Sequence, residues 1–186
     1  MAKLVSDIIP KVRYLIGDIL TEDSDLFSYE NSSVFTLSED NVSEVLEVYK
    51  NGAVLAESLW SFSLGKVTVL AALSVGDSIE VKFNFYSNYS DTEIEGYVDS
   101  ALTHLSVNNY KDFLIKGTTS TIYPEPSDKE LKLIALITSL LISPDNRTYT
   151  LPNIKMSVPS DLPTIDKIRK TISIFKHNKA DIFSIA

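Results

Sequence analysis

The side chains that could do chemistry are few. The 186 residues include two histidines, His104 and His177, and no cysteine. Without thiols there is no disulfide framework, no thiolate zinc or iron–sulfur site and no cysteine nucleophile. No serine sits in a Gly-x-Ser-x-Gly elbow. The six glycines fall at neither Walker nor dinucleotide-fold spacing, so no phosphate-cradling loop is present. His104 lies in a capped helical stretch and reads as a half-buried or surface histidine. His177, in a lysine-rich stretch, reads as a helix-end residue favoured by the carboxy-terminal dipole. Two acidic clusters raise the question of a metal. Glu22-Asp23-Ser24-Asp25 lacks the glycine and distal glutamate of an EF-hand loop, and Ser90-Asp91-Thr92-Glu93 has the pattern of a helix capping box. Asn31, Asn41, Asn88 and Asn146 each open an Asn-x-Ser/Thr triplet; without a secretory route these are chance matches. The inventory predicts no enzyme, no metal and no cofactor.

Hydrophobic residues make up 44% and charged residues 23%, an ordinary globular composition that excludes disorder as the main state. Met1 to Leu20 carries Asp7 and Asp18 among its apolar residues, and Pro10 where a signal core should run unbroken. A soluble chain with neither signal peptide nor membrane anchor is therefore expected. The net charge of −8 is uneven: residues 1–110 hold 6 Lys+Arg against 17 Asp+Glu, and residues 111–186 hold 11 against 8. Such polarity suits an acidic end and a basic end that meet different partners or neighbouring copies. Wrapping of nucleic acid as the main task is disfavoured, because phosphate binding needs many uncompensated cations.

The elements that must position these residues follow from hydrophobic period. Val5, Ile8, Ile9, Val12, Leu15, Ile16, Ile19 and Leu20 recur at spacings of three and four, which predicts a helix over 7–20 with Pro10 tolerated in its first turn. Thr21 to Asp25 reads as a polar linker. From Leu26 to Tyr86 the period becomes two. Phe35 and Leu37, then Val45 to Tyr49, then Trp60, Phe62 and Leu64, then Val67 and Val69, and finally Ile79, Val81, Phe83 and Phe85 predict five or six antiparallel strands. Asn51-Gly52, Gly65-Lys66 and Gly76-Asp77 mark the turns between them. After Tyr86 the helical period returns. Ile94, Tyr97, Val98, Ala101, Leu102 and Leu105 share a face of a helix over 91–107, and a second capping box, Ser127-Asp128-Lys129-Glu130, opens an almost wholly apolar helix that Pro144 ends. Residues 109–126 between them read as a loop. Residues 144–163, with four prolines, admit only short extended pieces such as Asn153 to Val158. Asp161, Leu162 and Pro163 open a last helix with Ile165, Ile168, Ile172 and Phe175 inward and its cations outward.

The layout is α+β: a four-helix bundle from residues 1–24 and 87–186, with an antiparallel β-sandwich or barrel, residues 25–86, inserted between its first and second helices. The third helix, with hardly any polar face, reads as the central buried helix of a bundle or of an oligomer, and for the second case Leu133, Leu136, Ile137 and Leu140 are nominated as the oligomer interface. At the carboxy-terminal end Lys167, Arg169 and Lys170 precede an apolar segment with Ile182, Phe183 and Ile185. Together these six residues are expected to dock on a neighbour or another partner.

Arg13-Tyr14-Leu15-Ile16-Gly17-Asp18, Tyr89-Ser90-Asp91-Thr92-Glu93-Ile94, Ala101 and the apolar third helix resemble the head–tail connector (adaptor) proteins of tailed bacteriophages. Val45 to Gly52, Trp60 and Gly76 to Val81 resemble the small β modules of phage neck and tail proteins. The resemblance implies a structural subunit of the virion neck, made in the host cytoplasm. Its copies form a homo-oligomeric ring, typically of twelve, beneath the portal protein. The ring links capsid to tail or neck proteins and lets DNA pass through its lumen without specific binding, away from any membrane. It carries over no catalytic residue. The alternative is a neck or tail accessory, or a receptor- or carbohydrate-binding module acting through the β domain.

Overall fold

The computed structural model describes residues 3–144, 148–151, 154–157 and 162–177. It is mixed α+β, with four α-helices and antiparallel sheets that do not close. The chain divides into two compact units: a β unit, residues 18–90, and a helical unit made of residues 1–17 and 91–186.

In the β unit, β1 (Leu20–Ser28), β7 (Ser78–Tyr86), β3 (Val42–Lys50) and the short β4 (Ala53–Val54) form one sheet in that spatial order. A second sheet runs β2 (Val34–Thr36), β6 (Lys66–Val69), β5 (Trp60–Ser63). β7 shows why these residues make strands. Ile79, Val81, Phe83 and Phe85 are buried while the residues between them are half-exposed, the period-two alternation of a sheet with one face in the core. Phe35, Leu37, Val48, Val67 and Val69 from both sheets complete the same apolar cluster. Fully burying a side chain such as Phe83 contributes about 1.5–3 kcal/mol. Asn51 and Gly52 both take positive φ, 50° and 79°, as a type I′ hairpin between β3 and β4 requires.

Two expectations change here. Thr21 to Asp25 is no linker: it lies inside β1, which pairs with β7 from Leu20↔Tyr86 to Ser28↔Ser78. Its acidic run has no apolar alternation, so the strand exists because β7 supplies a template. Leu64 does not face the core; it is 95% exposed at φ 50° in the turn between β5 and β6.

In the helical unit, α1 (Ile9–Ile16) is shorter than the apolar spacing predicts. Gly17, at φ 75° in the left-handed region, ends it by donating its N–H to Arg13 O. Ile19 and Leu20 consequently leave the apolar face and are exposed. α2 (Asp91–Val107) has the expected bounds, with Ile94, Val98, Ala101, Leu102 and Leu105 buried and Tyr97 at the surface. α3 (Asp128–Ile142) opens on the expected capping box: Ser127 N–H donates to Glu130 Oε2 at 2.7 Å and Glu130 N–H to Ser127 Oγ at 3.3 Å. The 109–126 loop instead holds a hairpin, β8 (Leu114–Lys116) with β9 (Thr121–Tyr123). A second hairpin pairs β10 (Thr148–Leu151) with β11 (Ile154–Ser157). α4 (Thr164–His177) starts at the proline-marked boundary, where Pro163 O accepts the N–H groups of Asp166 and Lys167. α1, α2 and α4 all pack against α3.

Candidate interaction surfaces

Leu133, Leu136, Ile137 and Leu140 have no exposed surface in the single chain. The oligomer-interface expectation for them is therefore corrected. Three helices pack on α3, so both of its faces are consumed inside the unit. Even Thr138 and Ser139 are interior. Thr138 Oγ1 donates to Ile134 O at 2.9 Å and Ser139 Oγ to Leu136 O at 2.8 Å, which satisfies both hydroxyls without leaving the helix.

The cations of α4 divide. Arg169 and Lys170 point outward as expected, with Arg169 Nη1 at 3.4 Å from Asp166 Oδ1. Lys167 does not. It is 2% exposed and donates Nζ to Pro144 O at 2.5 Å, while Ile165, expected inward, is half-exposed. The inward face is set by Lys167, Ile168, Thr171 and Ile172. A lysine stem packs like an apolar chain when its ammonium finds a carbonyl, and Thr171 Oγ1 returns its proton to Lys167 O. The signal was present in the sequence as the 167, 168, 171, 172 spacing, hidden because Lys and Thr were counted as polar. Lys176 Nζ reaches Asn108 O at 2.6 Å. Ile182, Phe183 and Ile185 lie outside the described residues.

The acidity gathers in the β unit, where residues 18–90 hold 3 Lys+Arg against 12 Asp+Glu. Glu22, Asp23 and Asp25 sit on β1, at the end of its sheet. Successive strand side chains point to opposite faces, so the three carboxylates do not converge as a metal site needs. Asp25 Oδ2 instead accepts Ser38 N–H at 2.7 Å, and Asp23 Oδ1 accepts Ser24 N–H at 2.8 Å. Across β3 and β7, Asn84 Nδ2 donates to Glu44 Oε1 at 2.9 Å. Lys82 lies over the Tyr49 ring, 4.8 Å from its centre, and donates to its hydroxyl, which raises the lysine above its ordinary range. Tyr49 in turn donates to Glu47. The exposed large apolar side chains of the unit include Leu26, Val54, Leu59, Leu64, Leu70 and Val75, and every one that is more than about a third exposed is aliphatic.

His104 is half-buried on α2. Among the described residues no three His, Cys, Asp or Glu side chains are placed to share a metal ion. A polar recess beside the start of α3 is lined by Lys3, Lys111, Glu125, Ser127, Asp128 and Glu130. Its lysines are paired: Lys3 Nζ with Asp128 Oδ1 and Lys111 Nζ with Glu130 Oε1, each at 3.0 Å. The first hydrogen bond raises Lys3 and lowers Asp128. Burial pushes Glu130 up, but the Ser127 N–H and Lys111 outweigh it and its carboxyl ends lowered. No helix among the described residues is long and apolar enough to cross a membrane.

No protein-family model matches the chain, and no curated protein matches it in sequence.

Proposed function

We propose that the chain is a structural head–tail connector subunit of a tailed bacteriophage. Copies assemble as a ring of about twelve beneath the portal, join capsid to tail or neck proteins, and continue the DNA channel without catalysis or cofactor. In finer architectural terms it is a four-helix bundle with an inserted antiparallel β-sandwich. The observation that carries the reading is the helical unit. α1 comes from before the β unit, yet packs with α2 and α4 on one buried helix, the order of helices in the connector proteins that residues 13–18 and 89–94 resemble. Those two stretches meet through an ion pair between Arg13 and Asp91. The acidic β unit supports the channel part of the proposal, since negative walls repel phosphate and let DNA slide rather than bind. Glycan recognition through the β unit is the weaker reading, because its well-exposed apolar side chains are aliphatic, whereas sugar faces stack on aromatic rings.

Negative-stain imaging of the purified full chain, alone and after addition of a portal ring, tests the proposal. Closed rings with a central opening, or such rings formed on the portal, are expected. A chain that stays monomeric in both preparations and binds glycans contradicts it.

A further inference from the structure

The turn between β3 and β4 carries a chemically reactive pair. Asn51-Gly52 is the one Asn-Gly step in the sequence, and both residues are exposed. Asparagine is thermolabile because the next backbone nitrogen can attack its side-chain amide, and a glycine, with no Cβ to hinder the approach, makes that attack easiest. Nothing crowds Gly52: a Cβ placed there would meet no atom of the described residues within 4 Å. The amide of Asn51, however, is held at both ends. Its Nδ2 donates to Asp77 Oδ1 and its Oδ1 accepts the Ser78 N–H, each at 2.8 Å, while Asn51 N–H donates to Ser78 O at 2.8 Å. These partners lie 26 and 27 residues along the chain, so the turn is tied to the start of β7. Asp77 is itself fixed by the Ser74 N–H at 2.7 Å and by Lys50 Nζ at 3.0 Å.

We propose that Asn51 is a self-modification site of the β unit: the clamp formed by Asp77 and Ser78 keeps its amide intact, and conversion of that amide to an acid releases the turn. The proposal goes beyond the connector reading and does not depend on it. The chemistry needs only water. The Gly52 nitrogen loses its proton to solvent and attacks Asn51 Cγ. The new C–N bond closes a five-membered succinimide as the Cγ–Nδ2 bond breaks, and the nitrogen leaves as ammonia after taking a proton from solvent. Water then opens the ring at either carbonyl, which gives aspartate or, with the chain running through the side chain, isoaspartate. Ring closure turns Cγ onto Gly52 and removes Nδ2, so the bonds to Asp77 and Ser78 must break first. The product cannot remake the first of them. A carboxylate at position 51 has no proton to donate and sets a negative charge against Asp77, where like charges repel. Lys50, already paired with Asp77, is left to offset both.

Peptide mass mapping of the purified full chain, aged at mildly alkaline pH in buffer and in urea, tests the site. The readout is the fraction of position 51 converted to aspartate or isoaspartate with time. In urea Asn51 is expected to convert faster than any other asparagine of the chain. In the folded chain its conversion should be slower by at least about tenfold, the least that one hydrogen bond to a charged group is worth. Asp77→Ala should return most of that factor, whereas Asp77→Asn, which keeps an acceptor oxygen, should not. Asn84, inside β7, stays intact unless the unit unfolds, and so separates local release from unfolding. An Asn51 that does not convert in urea overturns the site. Folded and unfolded chains that convert equally fast, or an Asp77→Ala chain no faster than the original, overturn the clamp. Two further variants test the release without removing the Asp77 side chain. Asn51→Asp is expected to melt below the original at neutral pH, and Asn51→Asp with Asp77→Asn, which exchanges donor and acceptor, to recover most of the loss. An Asn51→Asp chain as stable as the original, or a double variant that melts no higher than Asn51→Asp, overturns the release.

Discussion

Arg13 and Asp91 are 78 residues apart in sequence, yet Arg13 Nη2 lies 2.7 Å from Asp91 Oδ1. The arginine side chain is 5% exposed at the last turn of α1, and the aspartate is 71% exposed as the first residue of α2, where the helix dipole also favours a negative charge. The pair therefore ties the end of one helix to the start of the next element of the same unit, at the two points where the chain leaves and re-enters it. Asp91→Ala removes one hydrogen bond to a buried charged group, and a loss of about 1–3 kcal/mol is expected. The midpoint of urea unfolding, followed by helical circular dichroism, measures it. Arg13→Lys should not restore the full value, because an ammonium lacks the planar fork. An unchanged midpoint in Asp91→Ala would show that the tie adds nothing.

Leu136 separates a core from an interface. It is fully buried in the single chain, and Leu136→Ala is expected to cost about 2–5 kcal/mol at high dilution, where no assembly contributes. Near-normal stability combined with lost assembly would return α3 to the interface role that its composition first suggested.

Asp77 gives the β unit a pH signature. Its carboxylate accepts the Ser74 N–H at 2.7 Å and Asn51 Nδ2 at 2.8 Å, with Lys50 Nζ at 3.0 Å. These partners, the Ser74 N–H foremost, lower its pKa from 3.8 to about 2. Because the folded value lies below the unfolded one, the stabilisation is complete above pH 3.8 and is lost as pH falls through about 2. The difference in melting temperature between the original chain and Asp77→Asn should be constant near neutrality and shrink over that interval. A difference that does not change with pH would mean that the carboxylate's charge is irrelevant to the turn.

Trp60 holds a buried indole N–H with no acceptor among the described residues. Trp60→Phe keeps a ring in the half-buried site and removes the donor, so stability should hold or rise. A fall of more than about 1 kcal/mol in thermal or urea unfolding would mean that the N–H is satisfied in solution.

Legibility followed the source of each element's stability. β7, α2 and the opening of α3 could be read because their own side chains carry the period or the cap, as at Phe83, Leu102 and Ser127. The Asn51-Gly52 hairpin was legible for a local reason too, since both residues tolerate the positive φ the turn needs. β1 was not, because Glu22, Asp23 and Asp25 form a strand only once β7 lies beside them. The two bulges in β3, at Ser43 and Leu46, likewise arise from pairing and turn Leu46 toward solvent. The outward surfaces suffered most. An exposed acidic edge has the composition of a linker, and the rotation of α4 depended on Lys167 finding Pro144 O. Both are decided by neighbours distant in sequence.

Native mass spectrometry of the purified full chain, at low salt and across a concentration series, tests the ring most directly. One closed species, near twelve copies, is expected, replaced by monomer as salt rises and without a ladder of larger forms. A chain that remains monomeric at every concentration and salt, or that grows without limit instead of closing, contradicts it.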